Sequence, residues 1–172
     1  MTFAILRDII SNIKRRNNSP QIPTFSGYRR NGKDKNMLTA KKVLDKNTAE
    51  ILCKLCATEY DADLLYYAIY ENDGSVLPPE KEIPTVLGVC GFRFEKDTAV
   101  IADIMPKKDT YDLEAMYILG KAVLNFVDLA GFKKARFDAA DKSLAKHLEF
   151  DGEGKLSLVD YFTEPCKRRK AE

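Results

Sequence analysis

Residues 86–106 read VLGVCGFRF, EKDT, AVIADIMP; a long helical stretch follows, and then KARFD. This order narrows the choice of fold more than any other feature of the chain. Two β-rich runs split by a short polar segment make an antiparallel hairpin. A helix that leads from the second run into another strand of the same sheet makes that strand parallel to its predecessor, by a right-handed crossover. A sheet that is antiparallel on one side and parallel on the other, with a helix on its face, is an α+β arrangement.

Within the hairpin, Phe92 and Phe94 share one face, and Val100, Ala102 and Ile104 are expected to share a face of the partner strand. Pro106 ends that strand. The long helix is predicted from about Asp112 to Ala130, with Gly131 closing it. DKSLAKHLEF reads as a short helix; Gly152 and Gly154 then turn into a last predicted strand, KLSLVDYF.

Upstream, LTAKKVL at 38–44 suits a short edge strand and LLYYAIY at 64–70 an aromatic one. Between them Asn47 is expected to cap a helix, with Glu50 completing a capping box and Ile51, Leu52, Leu55 and Cys56 as its core face. ENDGSVLPPEKEIPT, with Asp-Gly and Pro-Pro, reads as a long exposed loop. Phe3, Leu6, Ile10 and Ile13 recur at helical spacing, which predicts an amphipathic helix over about 3–16. Residues 17–36, rich in Pro, Gly, Asn and basic groups, read as a loop or arm. The expected organisation is therefore an N-terminal helix and basic arm over 1–36, then one α+β domain over 37–172.

A chain of 172 residues is long enough to bury a core without disulfide staples. Cys53 and Cys56 form a C-x-x-C, but they lie in the helical AEILCKLCATEY, with Cys90, Cys166 and the single His147 scattered elsewhere. A structural zinc site needs four ligands in tetrahedral reach, so buried reduced thiols are the expected reading and no metal is expected. No apolar run approaches the ~18–20 residues of a membrane span, and MTFAILRDIISNIKRR lacks the continuous apolar stretch of a secretory leader. A cytoplasmic protein is expected. Residues 1–36 carry a surplus of six positive charges, the rest of the chain a surplus of four negative ones, and Lys167–Lys170 add a basic run at the end. Basic ends with no interleaved aromatic platform beyond Tyr28 read first as solubilising tails, with nucleic-acid binding as the lesser alternative.

Three further segments bear a resemblance. Asp103-Ile104-Met105-Pro106 resembles a central strand ending in V-x-P. Ile118-Leu119-Gly120-Lys121-Ala122-Val123-Leu124 is similar to a G-I-G-K-A-L-L helix opening, and Gly131-Phe132-Lys133-Lys134-Ala135-Arg136-Phe137 precedes a short helix and a turn at Asp151-Gly152. Together they resemble the GNAT superfamily of N-acetyltransferases, most closely over Val86–Phe162 and more loosely over Leu38–Tyr70. The resemblance implies a mixed central sheet flanked by helices, here with an extra N-terminal helix. It also implies that segments 99–105 and 134–138 part at their carboxyl ends to admit acetyl-CoA or another acyl-CoA. The acceptor would be an amine, on a small molecule or a protein.

In that superfamily Q/R-x-x-G-x-G/A receives the pyrophosphate, because glycines let backbone N–H groups at a helix start approach it. The pattern maps onto Ala115, Ile118 and Gly120, of which Gly120 keeps the small residue. Ile118, Leu119, Gly120 and Lys121 are thus the implied phosphate turn, and Gly120 as a close-packing helix residue is the competing reading. The backbone at Ile104 and Met105 would polarise the thioester and hold the pantetheine. Asp103 and His147 are the candidate bases. The position of the superfamily's acid tyrosine falls on Leu148, while Tyr161 lies on the predicted last strand. A non-catalytic domain of the same fold, binding a protein or another ligand, is the alternative function.

Overall fold

A computed structural model describes residues 25–28, 37–72 and 85–162. The expected helix at 3–16, the acid- and proline-rich loop after Asn72, Cys166 and the basic run 167–170 lie outside the described residues. The architecture is α+β, with a seven-stranded open sheet in sequential order, antiparallel at every neighbouring pair except one. The strands are β1 (Phe25–Tyr28), β2 (Met37–Val43), β3 (Leu65–Asn72), β4 (Thr85–Glu95), β5 (Thr98–Pro106), β6 (Lys134–Phe137) and β7 (Lys155–Ser157). The helices are α1 (Lys46–Leu55), α2 (Leu113–Leu129) and α3 (Lys142–His147). β5 and β6 are the parallel pair, joined through α2.

Helices cover both faces, so the central strands are apolar on both sides. Along β3, Leu65, Tyr67 and Ile69 face the larger core with α2, and Tyr66, Ala68 and Tyr70 face the smaller one with α1. Tyr67, Phe92 and Phe126 meet at the centre of the larger core with ring centroids 5.7–6.1 Å apart. β4 and β5 turn on two residues, with Lys96 in the left-handed region at φ 52°. α2 stops as expected: Gly131 has φ 94°, its N–H donates to Asp128 O, and the Phe132 N–H donates to Val127 O.

Several expectations are corrected. Phe25–Tyr28, inside the segment read as an arm, is a strand paired with β2. Asp45, not Asn47, caps α1, its carboxylate accepting the Thr48 N–H at 2.7 Å. The buried face of α1 is Ala49, Leu52, Cys53 and Cys56, whereas Ile51 is 58% and Leu55 42% exposed. The last strand ends at Ser157; residues 158–162 turn, with Asp160 at φ 59°.

The most consequential difference is a β-bulge in β5. Gly91 pairs with Asp103 and Phe92 with Ile101, leaving Ala102 as the extra residue. The bulge breaks the alternation that would have put Val100, Ala102 and Ile104 together. Ile101 and Ile104 instead both enter the core under α2, and Met105 packs on the α1 side.

Candidate functional site

The parallel pair shapes the region where a site was expected. β5 and β6 are in register over the whole of β6, from Thr98↔Lys134 to Ile101↔Phe137, and the Asp138 N–H donates to Ile101 O at 2.9 Å, so residues 134–138 stay paired with β5 and do not part from it as expected. Beyond that point β6 has ended, while β5 runs on to Pro106 beside β4. Successive backbone N–H and C=O groups of a strand alternate between its two edges. Part of the polar backbone of 102–105 therefore faces the edge that β6 has left.

The loops that leave the two strands meet again. Tyr111, between β5 and α2, donates its hydroxyl to Asp141 Oδ2 at 2.8 Å. Asp141 in turn caps α3, its Oδ1 accepting the Leu144 N–H at 2.9 Å. Desolvation of its hydroxyl, and then the Asp141 carboxylate it bonds to, push the Tyr111 phenol up, although the side chain as a whole is exposed. The start of α2 is occupied in the same self-contained way. Asp112 accepts from the N–H groups of Glu114 at 3.0 Å and Ala115 at 3.2 Å, which satisfies the donors an anion would otherwise find there.

The residues implied for the pyrophosphate lie deeper. Ile118, Leu119 and Gly120 are buried within α2, in its hydrogen-bonded interior rather than at its open first turn. Gly120 has a packing partner: a β-carbon there would stand 2.6 Å from Leu148 Cδ1 and 3.0 Å from Cδ2. Leu148, fully buried, occupies the groove that the missing side chain leaves. Lys121 is only 14% exposed. Its ammonium donates to the Tyr161 hydroxyl at 2.6 Å, lies 3.9 Å from the Tyr161 ring centre and 4.0 Å from Glu149, and has Tyr117 and Phe162 rings around it.

The two candidate bases are separated. Asp103, half-buried beside the bulge, points toward the end of α1, where its Oδ2 accepts from the Thr58 hydroxyl. His147 is exposed at the end of α3, with Nδ1 2.8 Å from its own helix's Ser143 O. Ile104 is buried under α2 and Met105 half-buried on the other side; of the two backbones, Met105 faces β4 and only Ile104 faces the edge beyond β6.

The C-x-x-C is placed for inertness. Cys53 lies in the last turn of α1 and Cys56 caps its C-terminal end, where the helix dipole disfavours a thiolate. Burial, reinforced by Cys53 and Asp103, pushes Cys56 up to about 11; burial raises Cys53 and Cys90 as well. Among the described residues no group of three or more His, Cys, Asp or Glu side chains could hold a metal, and no helix is long and apolar enough to cross a membrane.

One residue was placed wrongly from the sequence. Tyr161 lies in the turn after β7 and not on the strand, and its hydroxyl donates to the Leu148 backbone oxygen at 2.7 Å. The signal was absent because the turn at 158–162 folds Tyr161 back over α2, a contact between residues 40 positions apart at Lys121. No protein-family model matches the chain, and no curated protein matches it.

Proposed function

We propose that this chain is a GNAT-like N-acyltransferase domain that takes an acyl thioester, from acetyl-CoA or another acyl-CoA, along the part of β5 that extends beyond β6. The observation that carries the reading is the short β5–β6 register, which ends at Ile101 and Phe137 while β5 continues to Pro106. In this reading the backbone N–H of Ile104 polarises the thioester carbonyl, while that of Met105, the next residue, faces β4 instead. The acceptor amine attacks that carbonyl, its proton passes to Asp103, and the carbon–sulfur bond breaks to leave a thiolate that takes a proton from water. His147 has no part in the step, given its place at the far end of α3. Three buried reduced thiols suit a cytoplasmic enzyme.

Three observations favour a second reading, a non-catalytic domain of the same fold that binds a protein or another ligand. Leu148 fills the groove at Gly120, and Asp112 takes the N–H groups at the start of α2. Asp109, Asp112 and Glu114 also outnumber Lys107 and Lys108 around that helix start, which opposes a diphosphate.

Calorimetry with acetyl-CoA and with acetyl-pantetheine separates the readings. The acyltransferase reading expects both to bind, with acetyl-pantetheine within about threefold of acetyl-CoA because the diphosphate finds little to hold it. Absence of heat with either ligand up to millimolar concentration refutes it and leaves the second reading standing.

A further inference from the structure

α1 is apolar on two sides. Ala49, Leu52, Cys53 and Cys56 bury one face of it against the sheet. By helical spacing Ile51 and Leu55, one turn apart, lie on the opposite face, where they are 58% and 42% exposed. Leu44, just ahead of the helix, is 74% exposed. Among the described residues no other helix exposes two large aliphatic side chains one turn apart. A helix with apolar residues on both sides suits a place between two layers, with a further element packed on its outer face.

The chain supplies a covering segment, and the topology brings it to this place. β1 runs antiparallel to β2 and pairs Phe25 with Ala40, so the chain before Phe25 comes in beside the end of β2 that leads through Leu44 into α1. Residues 1–24 lie outside the described residues; their sequence carries Phe3, Leu6, Ile10 and Ile13 at helical spacing. A helix from Phe3 to Ile13 measures about 15 Å, which matches the length of α1. The linker 17–24 reaches at most roughly 26–29 Å, enough to pass over a helix about 10–12 Å across.

Charge agrees with the placement. The segment is basic through Arg7, Lys14, Arg15 and Arg16. Beyond the C-terminal end of α1, Glu59, Asp61 and Asp63 are exposed, and none of the three forms an ion pair among the described residues. A second copy is the poorer occupant. Three side chains fall far short of the roughly 800 Å2 per partner of a standalone interface, whereas a segment on a short tether acts at an effective concentration on the order of millimolar.

We propose that segment 3–16 of the same chain docks its apolar face on Leu44, Ile51 and Leu55. The assignment stands apart from the acyltransferase reading, since it uses neither β5 nor Asp103.

A nitroxide label in the isotopically labelled full chain tests this. It is attached at Ser11→Cys, with Cys166→Ser, because the remaining cysteines Cys53, Cys56 and Cys90 are buried. The label is expected to broaden the amide NMR signals of residues 44–55 and to leave those of β6 and β7, at the other side of the sheet, sharp. Ile51→Gln/Leu55→Gln should abolish the broadening; both side chains are exposed and glutamine suits a helix, so the fold is not at stake. Leu129→Gln, which replaces an exposed leucine of α2, should leave it unchanged. Four results each overturn the proposal: sharp signals throughout 44–55, broadening centred on another part of the sheet, broadening that survives the double glutamine variant, or equal broadening when the nitroxide and the isotope are on different molecules, which would make a second copy the occupant.

Discussion

Replacing Gly120 by alanine would bring a β-carbon to 2.6 Å from one methyl of Leu148 and 3.0 Å from the other. Two effects of opposite sign follow. Alanine in a helix interior is favoured over glycine by about 1 kcal/mol. Overpacking a filled core costs about 1–3 kcal/mol, and Leu148, at 0% exposure, has no solvent to retreat into. Gly120→Ala should therefore destabilise by about 0–2 kcal/mol net. Leu148→Ala alone should cost about 2–5 kcal/mol as a buried cavity. In the double variant the clash is gone, the helical gain returns, and the new methyl fills part of the cavity. Its destabilisation should fall short of the sum of the single variants by about 1–3 kcal/mol. Urea unfolding of the four proteins with a common slope measures this directly. Additivity within about 0.5 kcal/mol, or a Gly120→Ala protein more stable than the parent, would show that Leu148 does not occupy the glycine's space, and would reopen the phosphate-turn reading of 118–121.

Asp112→Ala should cost about 0.5–2 kcal/mol by uncapping α2, and Asp112→Ser should recover most of it; equal stability of the two variants by thermal unfolding would contradict the capping geometry. Tyr111→Phe should leave global stability within about 1 kcal/mol, yet speed amide exchange in 107–112 and 138–141 severalfold, since the hydroxyl is what joins those loops. Unchanged exchange would mean the bond holds nothing. Tyr67→Phe should be neutral or stabilising in urea, because the buried Tyr67 hydroxyl has no hydrogen-bond partner among the described residues; a loss above about 1 kcal/mol would point to a partner in solution. The hydrogen bond from Arg136 chiefly holds the Asp138 carboxyl below its ordinary value. The stabilisation from this pair is present above about pH 4 and fades as pH falls through the depressed value. Arg136→Gln should flatten the acid limb of the stability profile, by less than about 1 kcal/mol because the pair is exposed; an unchanged limb in acid titration would exclude the pairing.

What could be read along the chain was what depends on neighbours in sequence. The β4–β5 hairpin, the helix begun at Asp112 and closed at Gly131, and the parallel return at β6 all rest on alternation, capping and a crossover rule that act over a few residues or one connection. β1 was not legible because four residues among Pro, Gly and basic groups carry too little pattern; only pairing with β2 makes them a strand. The direction of Asp103 was hidden for a related reason. Alternation predicts a face only while the register is unbroken, and the bulge at Ala102 is a property of two strands together.

The candidate site was less legible than the fold, since its parts meet across long stretches of chain. Gly120 has the same local sequence whether it greets a phosphate or a leucine, and Leu148 decides between them from the C-terminal cap of α3. Asp103 finds Thr58, Tyr111 finds Asp141 and Lys121 finds Tyr161 only after the sheet has brought their elements side by side. The sequence by itself determined the order and kind of these elements, because backbone preference and burial periodicity are local. Only the tertiary structure decided which groups are occupied and where β6 stops beside β5, because satisfaction of a donor or a cavity depends on whatever partner arrives from elsewhere in the chain.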